Sequence, residues 1–297
     1  MHLITFTKAS QVSVGILDRT RSEVIDLSIA ASDLPGNMLD LISLGPAGLE
    51  RAQAAANNGI GRIALDHVDI LAPIPRPRRN VFCIGKNYRE HVHELQNAGS
   101  IFDNGGQDSL PEKPIIFTKA TTSVIGPNEP IPASLDLTAS TDYEGELAVI
   151  IGKGGRGIKY ADAMEYVYGY TILNDVTSRR MQRSHQQWFL GKSLDGFCPM
   201  GPAIVTADAI ADVHQLRVQT WVNSELRQDD VVASLIFDIP TLIETLSRTM
   251  TLEPGDIIAT GTPAGVGMGH KPPRYLQQGD VVKVHIDPIG TLENFVA

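Results

Sequence analysis

The stretch STDYEGELAVIIG, residues 140–152, sets an acidic pair against a run suited only to a protein interior. From Leu147 to Ile151 every residue is aliphatic, which predicts a short buried strand. Successive side chains of a strand point to opposite faces, so Glu144 and Glu146 project to the same side at its mouth. Like charges on one face repel, and unpaired buried carboxylates are costly. Two readings stand open at this point. Either a hard divalent ion such as Mg²⁺, Mn²⁺ or Ca²⁺ sits between the oxygens, or the strand end reaches water and both glutamates are hydrated.

Working outward, the flanking sequence is dominated by similar strand signals: VFCIG, PIIFT, YGYTILND, GPAIVT, LRVQTWVN, DIIATG and DVVKVHI, broken by Gly, Pro and Asp. This spacing predicts a mainly β, α+β chain built as a sandwich or barrel rather than alternating βαβ units. Helices are expected over residues 86–97 and 238–250, and in part of VTSRRMQRSHQQW. The first 72 residues read as a small α+β module, with short β-rich runs followed by the helical GLERAQAAANNG. The proline-rich LAPIPRPRRN (residues 71–80) then reads as a linker. The expected division is therefore 1–72 and 73–297.

Composition narrows the function. The chain has 297 residues and a formal charge of −9, with 25 basic residues against 34 acidic. That balance argues against a nucleic-acid partner. No apolar run approaches the length of a membrane span. The N-terminus, MHLITFTKASQVSVGILD, lacks the pattern of a secretory signal, so a folded cytoplasmic chain is expected. Cys83 and Cys198 are too few and too far apart in sequence for a disulfide scaffold or a zinc site, and read as small buried residues.

Further candidates lie at strand ends and in one helix. Asp175 closes the apolar run YGYTILND, and a third carboxylate would complete a plausible Mg²⁺ or Mn²⁺ donor set with Glu144 and Glu146. His91 and Glu94 are spaced i, i+3 on the expected helix, so the glutamate can orient the imidazole as a general base; a solvated charged face is the alternative. ATGTPAGVGMG (residues 259–269) follows a strand with four glycines, and Gly261 and Thr262 would bring donors to a substrate anion. Lys192 and Lys119 occur in apolar settings, where each is either an oxyanion partner or a snorkelling surface lysine. GKGGRG (residues 152–157) has the spacing of a dinucleotide fingerprint but opens no evident helix.

Six motifs in this order, GKNYREHVHE, PIIFTKATTSVIGP, DYEGELAVIIGKGGRGI, GYTILNDVTSRRMQ, QWFLGKSLDGFCPMGP and PGDIIATGTPAGVG, resemble the fumarylacetoacetate hydrolase family over about residues 72–296. The resemblance implies a mixed β-sandwich roll behind a small N-terminal domain, a homodimer, and a bound Mg²⁺ or Mn²⁺. It further implies Glu144, Glu146 and Asp175 as metal ligands, and His91 and Glu94 as a water-activating dyad on a mobile lid helix. Lys192, Thr262, Lys119 and Gln182 would be pocket residues. The substrates implied are small 2-oxo acids, and the reaction is hydrolysis of a 2,4-dioxo acid of the acylpyruvate or fumarylpyruvate type through an enolate. Oxaloacetate decarboxylation, isomerisation of an unsaturated oxo-diacid, and a catalytically silent metal-binding role are the alternatives. Arg180 departs from the Asp usual after Arg179, which removes any ion pair made there.

Overall fold

The structure, a computed structural model, describes residues 1–97 and 110–297. Its backbone is organised by a sheet of 12 strands. At the centre lie Gly145–Ile151 and Val167–Asn174, antiparallel and buried along their whole length. Cys198–Thr206 follows on one side, and Ile257–Ala259, Val81–Gly85 and Ile115–Lys119 on the other. The pairing of Ile257–Ala259 with Val81–Gly85 is parallel, which makes the sheet mixed.

The unbroken apolar run of residues 147–151 is explained by burial on both faces. Leu147, Val149 and Ile151 pack with Ile239, Leu242, Ile243 and Leu246. The alternate residues Ala148 and Ile150 pack with Leu3, Ile25, Leu41 and Ile204. The first group comes from the helix Ile239–Ser247, capped by Asp238, whose side chain accepts from the Thr241 N–H. The second comes largely from the N-terminal strands and helices, and by alternation Glu146 lies on that side of the strand.

Those N-terminal strands extend the same sheet. His2–Lys8 pairs with Cys198–Thr206, with His2 opposite Val205 and Leu3 opposite Ile204. Gln11–Asp18, Glu23–Asp26 and Arg62–Ala64 then continue outward in order. A second sheet of four strands, Glu225–Val231, Arg217–Val222, Val281–Ile286 and Gly290–Phe295, supplies the other layer. Val218, Val284 and Leu292 from it join the core beneath Leu147.

Among the described residues no helix is long and apolar enough to cross a membrane. Both cysteines are free and buried. The fingerprint-like glycines at 152–157 lead into a 3-10 turn, Tyr160–Tyr166, and then back to strand, so no helix N-terminus is available there for a pyrophosphate.

Candidate active site

Glu144 immediately precedes the central strand, Glu146 is its second residue, and Asp175 follows the end of the strand paired with it. The pairing brings the three carboxylates together: one oxygen from each lies within 4.8 Å of the others. All three are buried, so the hydrated strand end is not what the fold makes.

Charge balance comes first from the protein's own cations. Lys192 Nζ donates to Glu144 Oε2 at 2.8 Å and to Asp175 Oδ2 at 2.7 Å. Arg179 Nη1 donates to Glu144 Oε1 at 2.5 Å, and its Nε to Asp142 Oδ2 at 2.8 Å. Lys119 Nζ donates to Asp175 Oδ1 at 2.6 Å and to the Val176 carbonyl at 3.0 Å. Three cations thus face Asp142, Glu144 and Asp175. Glu146 is the carboxylate left over: among the described residues it forms no ion pair, and only the Gly261 N–H reaches it, at 2.8 Å.

The two glutamates respond oppositely. Burial pushes the Glu144 carboxyl up, but Lys192 and Arg179 outweigh it and hold the pKa at about 2. Burial, with Asp175 and Glu144 as like-charged neighbours, pushes Glu146 well above the usual carboxylate range. Burial likewise disfavours the Lys192 ammonium, yet Asp175 and Glu144 more than offset this and raise its pKa. An oxygen-only donor set carrying one unmatched carboxylate suits a hard divalent cation. Glu144, Glu146 and Asp175 are the residues that would hold it.

A small cavity, partly open to solvent, adjoins this cluster and is lined by His91, Glu144, Glu146, Arg179, Gln182, Lys192 and Thr262. Apolar walls come from Ile84, Leu95, Phe117, Trp188 and Met268. His91 is buried, and its Nδ1 lies 3.2 Å from Glu94 Oε2, the i, i+3 pair expected on the helix Arg89–Asn97. Glu94 is the more open partner, so the alternative of a solvated face holds only for residues such as His93. Thr262 Oγ1 donates to the Gly145 carbonyl at 3.0 Å and accepts from Gln228 Nε2 at 2.7 Å.

Several sequence expectations are corrected. Lys119 and Lys192 do not snorkel; both are buried, and Lys119 stands behind Asp175 rather than in the cavity wall. Several backbone N–H groups of the glycine loop are already engaged within the protein. Those of Gly261, Gly265 and Gly267 donate to Glu146, Glu94 and Asp142. Lys192 belongs to a short helix, Phe189–Lys192, that hydropathy did not reveal. Arg180, in place of the usual Asp, donates to the Thr138 carbonyl at 2.7 Å and has no carboxylate partner among the described residues. Sequence reasoning also passed over Asp142 and the inward role of Arg179. The alternation Asp142, Glu144, Glu146 within the opening stretch was the available signal for the first.

A model described as "Fumarylacetoacetate (FAA) hydrolase C-terminal" matches residues 80–297, most of the chain. This chain belongs to the fumarylacetoacetate hydrolase family. It is 46% identical over 269 residues to oxaloacetate tautomerase YisK of Bacillus subtilis, covering 88% of this chain and 86% of that protein. The solved fumarylacetoacetate hydrolase of Exiguobacterium antarcticum superposes with a TM-score of 0.83 at 43% identity, over 100% of this chain and 99% of that one. A maleylpyruvate hydrolase of a Sphingobium species, solved with manganese(II) and pyruvate, gives 0.79 at 33% identity, over 100% and 99%. The strand-rich fold with its large mixed sheet is the family's fold, and the family is one of enzymes.

Proposed function

We propose that this fumarylacetoacetate hydrolase family member is a divalent-metal-dependent enzyme that carries a small 2-oxo dicarboxylic acid through its enolate, with keto–enol tautomerisation of oxaloacetate as its reaction. The observation that carries this reading is that His91 and Lys192 line the same cavity as the Glu144 and Glu146 carboxylates. One can take a proton from carbon, and the other is a buried cation beside the oxygen that gains charge. The choice of oxaloacetate rests on the identity with the Bacillus tautomerase.

Glu144, Glu146 and Asp175 would hold a Mg²⁺ or Mn²⁺ ion, which when bound would supply Lewis acidity that favours the enolate. The side chains do the rest. With Nδ1–H donated to Glu94, His91 presents Nε2 as the basic nitrogen. It takes a proton from C3 of the keto form; the C–H electron pair becomes the C2–C3 double bond and the carbonyl pair moves to O2. Returning the proton to O2 yields the enol, so nothing is consumed. Arg179 Nη2 is buried without a hydrogen-bond partner among the described residues, and it is a donor suited to a substrate carboxylate. Phe117 and Trp188 restrict water on one side, with Lys192 Nζ 5.0 Å from the Phe117 ring centre.

A second reading, hydrolysis of a 2,4-dioxo acid, is favoured by the His91–Glu94 pair, which is equally suited to activating water. Chelator-treated protein should be given oxaloacetate, acetylpyruvate or fumarylpyruvate, with and without Mn²⁺, following enol absorbance and pyruvate separately. Metal-dependent relaxation of oxaloacetate without pyruvate is expected. His91→Ala should slow it by about 10²-fold or more. Pyruvate released from the acylpyruvates alone would transfer the assignment to the hydrolase, and no metal-dependent turnover of any of the three would reject both.

A further inference from the structure

The glycine loop at residues 261–269 fastens three carboxylates of different duty. Gly261 N–H holds Glu146 of the metal triad at 2.8 Å, and Gly265 N–H holds Glu94 of the dyad at 2.9 Å. Gly267 and Met268 N–H hold Asp142 at 2.7 and 3.0 Å. Asp142, wholly buried, continues the connection: its Oδ2 also accepts from Arg179 Nε, and the other end of that guanidinium holds Glu144.

We propose that Asp142 is a positioning residue, which sets the helix bearing His91 and Glu94 and the metal carboxylate Glu144 relative to one another. It acts on Glu144 through Arg179, and on Glu94 through the segment between Gly265 and Met268. The inference deepens the function proposed above and rests on its metal site, but not on the identity of the substrate.

The contacts make Asp142 hard to replace even by its own isostere. Both of its oxygens face N–H donors: Gly267 and Tyr143 on Oδ1, Met268 and Arg179 on Oδ2. An amide at this position turns its NH₂ against donors in either orientation. The other end of the connection is sterically exact in a different way. A Cβ on Gly269 would lie 2.1 Å from Glu94 Oε1 and 2.5 Å from its Cγ, so a methyl there would push the Glu94 carboxylate off its present place against His91 and the Gly265 N–H.

Two variants separate the two arms, read by Mn²⁺ titration with electron paramagnetic resonance and by hydrogen exchange of residues 89–97. In Asp142→Asn, the Mn²⁺ dissociation constant should rise by about tenfold, the usual scale for losing an outer partner of a metal ligand. Exchange in 89–97 should quicken as well, while exchange in His2–Lys8, on the N-terminal side of the sheet, stays as in the wild type. In Gly269→Ala, whose new methyl meets the Glu94 side chain, exchange in 89–97 should quicken with Mn²⁺ affinity within about twofold of the wild type, because the ligand shell and its outer partners are intact. Wild-type behaviour of Asp142→Asn in either readout overturns the proposal, as does a uniform rise in exchange including His2–Lys8. If Asp142→Asn does not fold, Gly269→Ala still decides the loop arm: unchanged exchange in 89–97 refutes it. Neither readout uses substrate, so failure of the oxaloacetate assay leaves this test standing, and the reverse also holds.

Discussion

Glu144 and Glu146 are both buried, but their neighbours differ in charge. Asp142, Glu144 and Asp175 are matched by Arg179, Lys192 and Lys119, and Glu146 has no ion-pair partner among the described residues. Neutralising the two glutamates in chelator-treated protein should therefore have unequal effects. Glu144→Gln leaves a buried cation in excess and should cost roughly 3 kcal/mol in denaturant unfolding, near the lower end for a broken buried pair because Lys192 and Arg179 each keep a second carboxylate. Glu146→Gln should cost far less at neutral pH. The pH dependence follows from the raised pKa of Glu146. Its native carboxyl holds a proton that the unfolded chain releases near pH 4.3, so the stability it contributes is present below about pH 4.3 and is lost as pH rises toward the native value. The wild-type denaturation midpoint should fall relative to that of Glu146→Gln as pH is raised between about 5 and 8. Parallel profiles would remove the charge asymmetry. The strand pattern put Glu144 and Glu146 on one face but left burial and hydration both open, and the grouping with Asp175 rested on the ordered motifs of the family resemblance. That three cations already stood against these acids was not readable, because Lys119, Arg179 and Lys192 are scattered over more than 70 residues and only pairing of the strands brings them together.

Elements were legible where apolar periodicity or capping chemistry carried them, and illegible where a tertiary hydrogen bond intervened. The helix expected over 238–250 forms as Ile239–Ser247, with Asp238 capping the Thr241 N–H at 3.0 Å and accepting from Tyr160 Oη at 2.6 Å. Asp238→Ala should lower stability by about 1–2 kcal/mol, measured as a shift of the denaturation midpoint at constant slope. No shift would mean that neighbouring groups satisfy the helix end without it. The helix expected from residue 86 starts instead at Arg89. Lys86 has φ of 54°, outside the helical region, and Asn87 is committed elsewhere. The Asn87 side chain bonds the Phe237 N–H and the carbonyls of Phe237 and Thr260, which ties the approach to the dyad onto two other segments. The strand Glu225–Val231 escaped notice for another reason. Its sequence ELRQDDV has no apolar alternation, and it is a strand because Arg217–Val222 supplies a pairing edge.

At the scale of the whole molecule, the sheet carries Glu144, Glu146 and Asp175 in its middle and the N-terminal strands at one side, so the two regions share a core. Leu3, Val14, Ile25 and Leu41 pack in the same cluster as Ala148, Ile150, Leu173 and Cys198. Leu173 lies two residues before Asp175, and Ala148 two after Glu146, so the backing of these carboxylates includes residues from the first 72 of the chain. Removing residues 1–72 would strip His2–Lys8 from Cys198–Thr206, leaving unpaired N–H and C=O groups along a strand that is otherwise interior. It would also expose the apolar face formed by Ile204 and Ile150. The chain 73–297 alone is therefore expected to aggregate or to unfold at a markedly lower temperature than the full chain, and to recover when residues 1–72 are supplied as a separate fragment. Light scattering and thermal unfolding of the two preparations measure this. A monodisperse 73–297 fragment that unfolds at the full-length temperature and binds Mn²⁺ with full-length affinity would mean that the strand ends hold the carboxylates without help from the N-terminal layer.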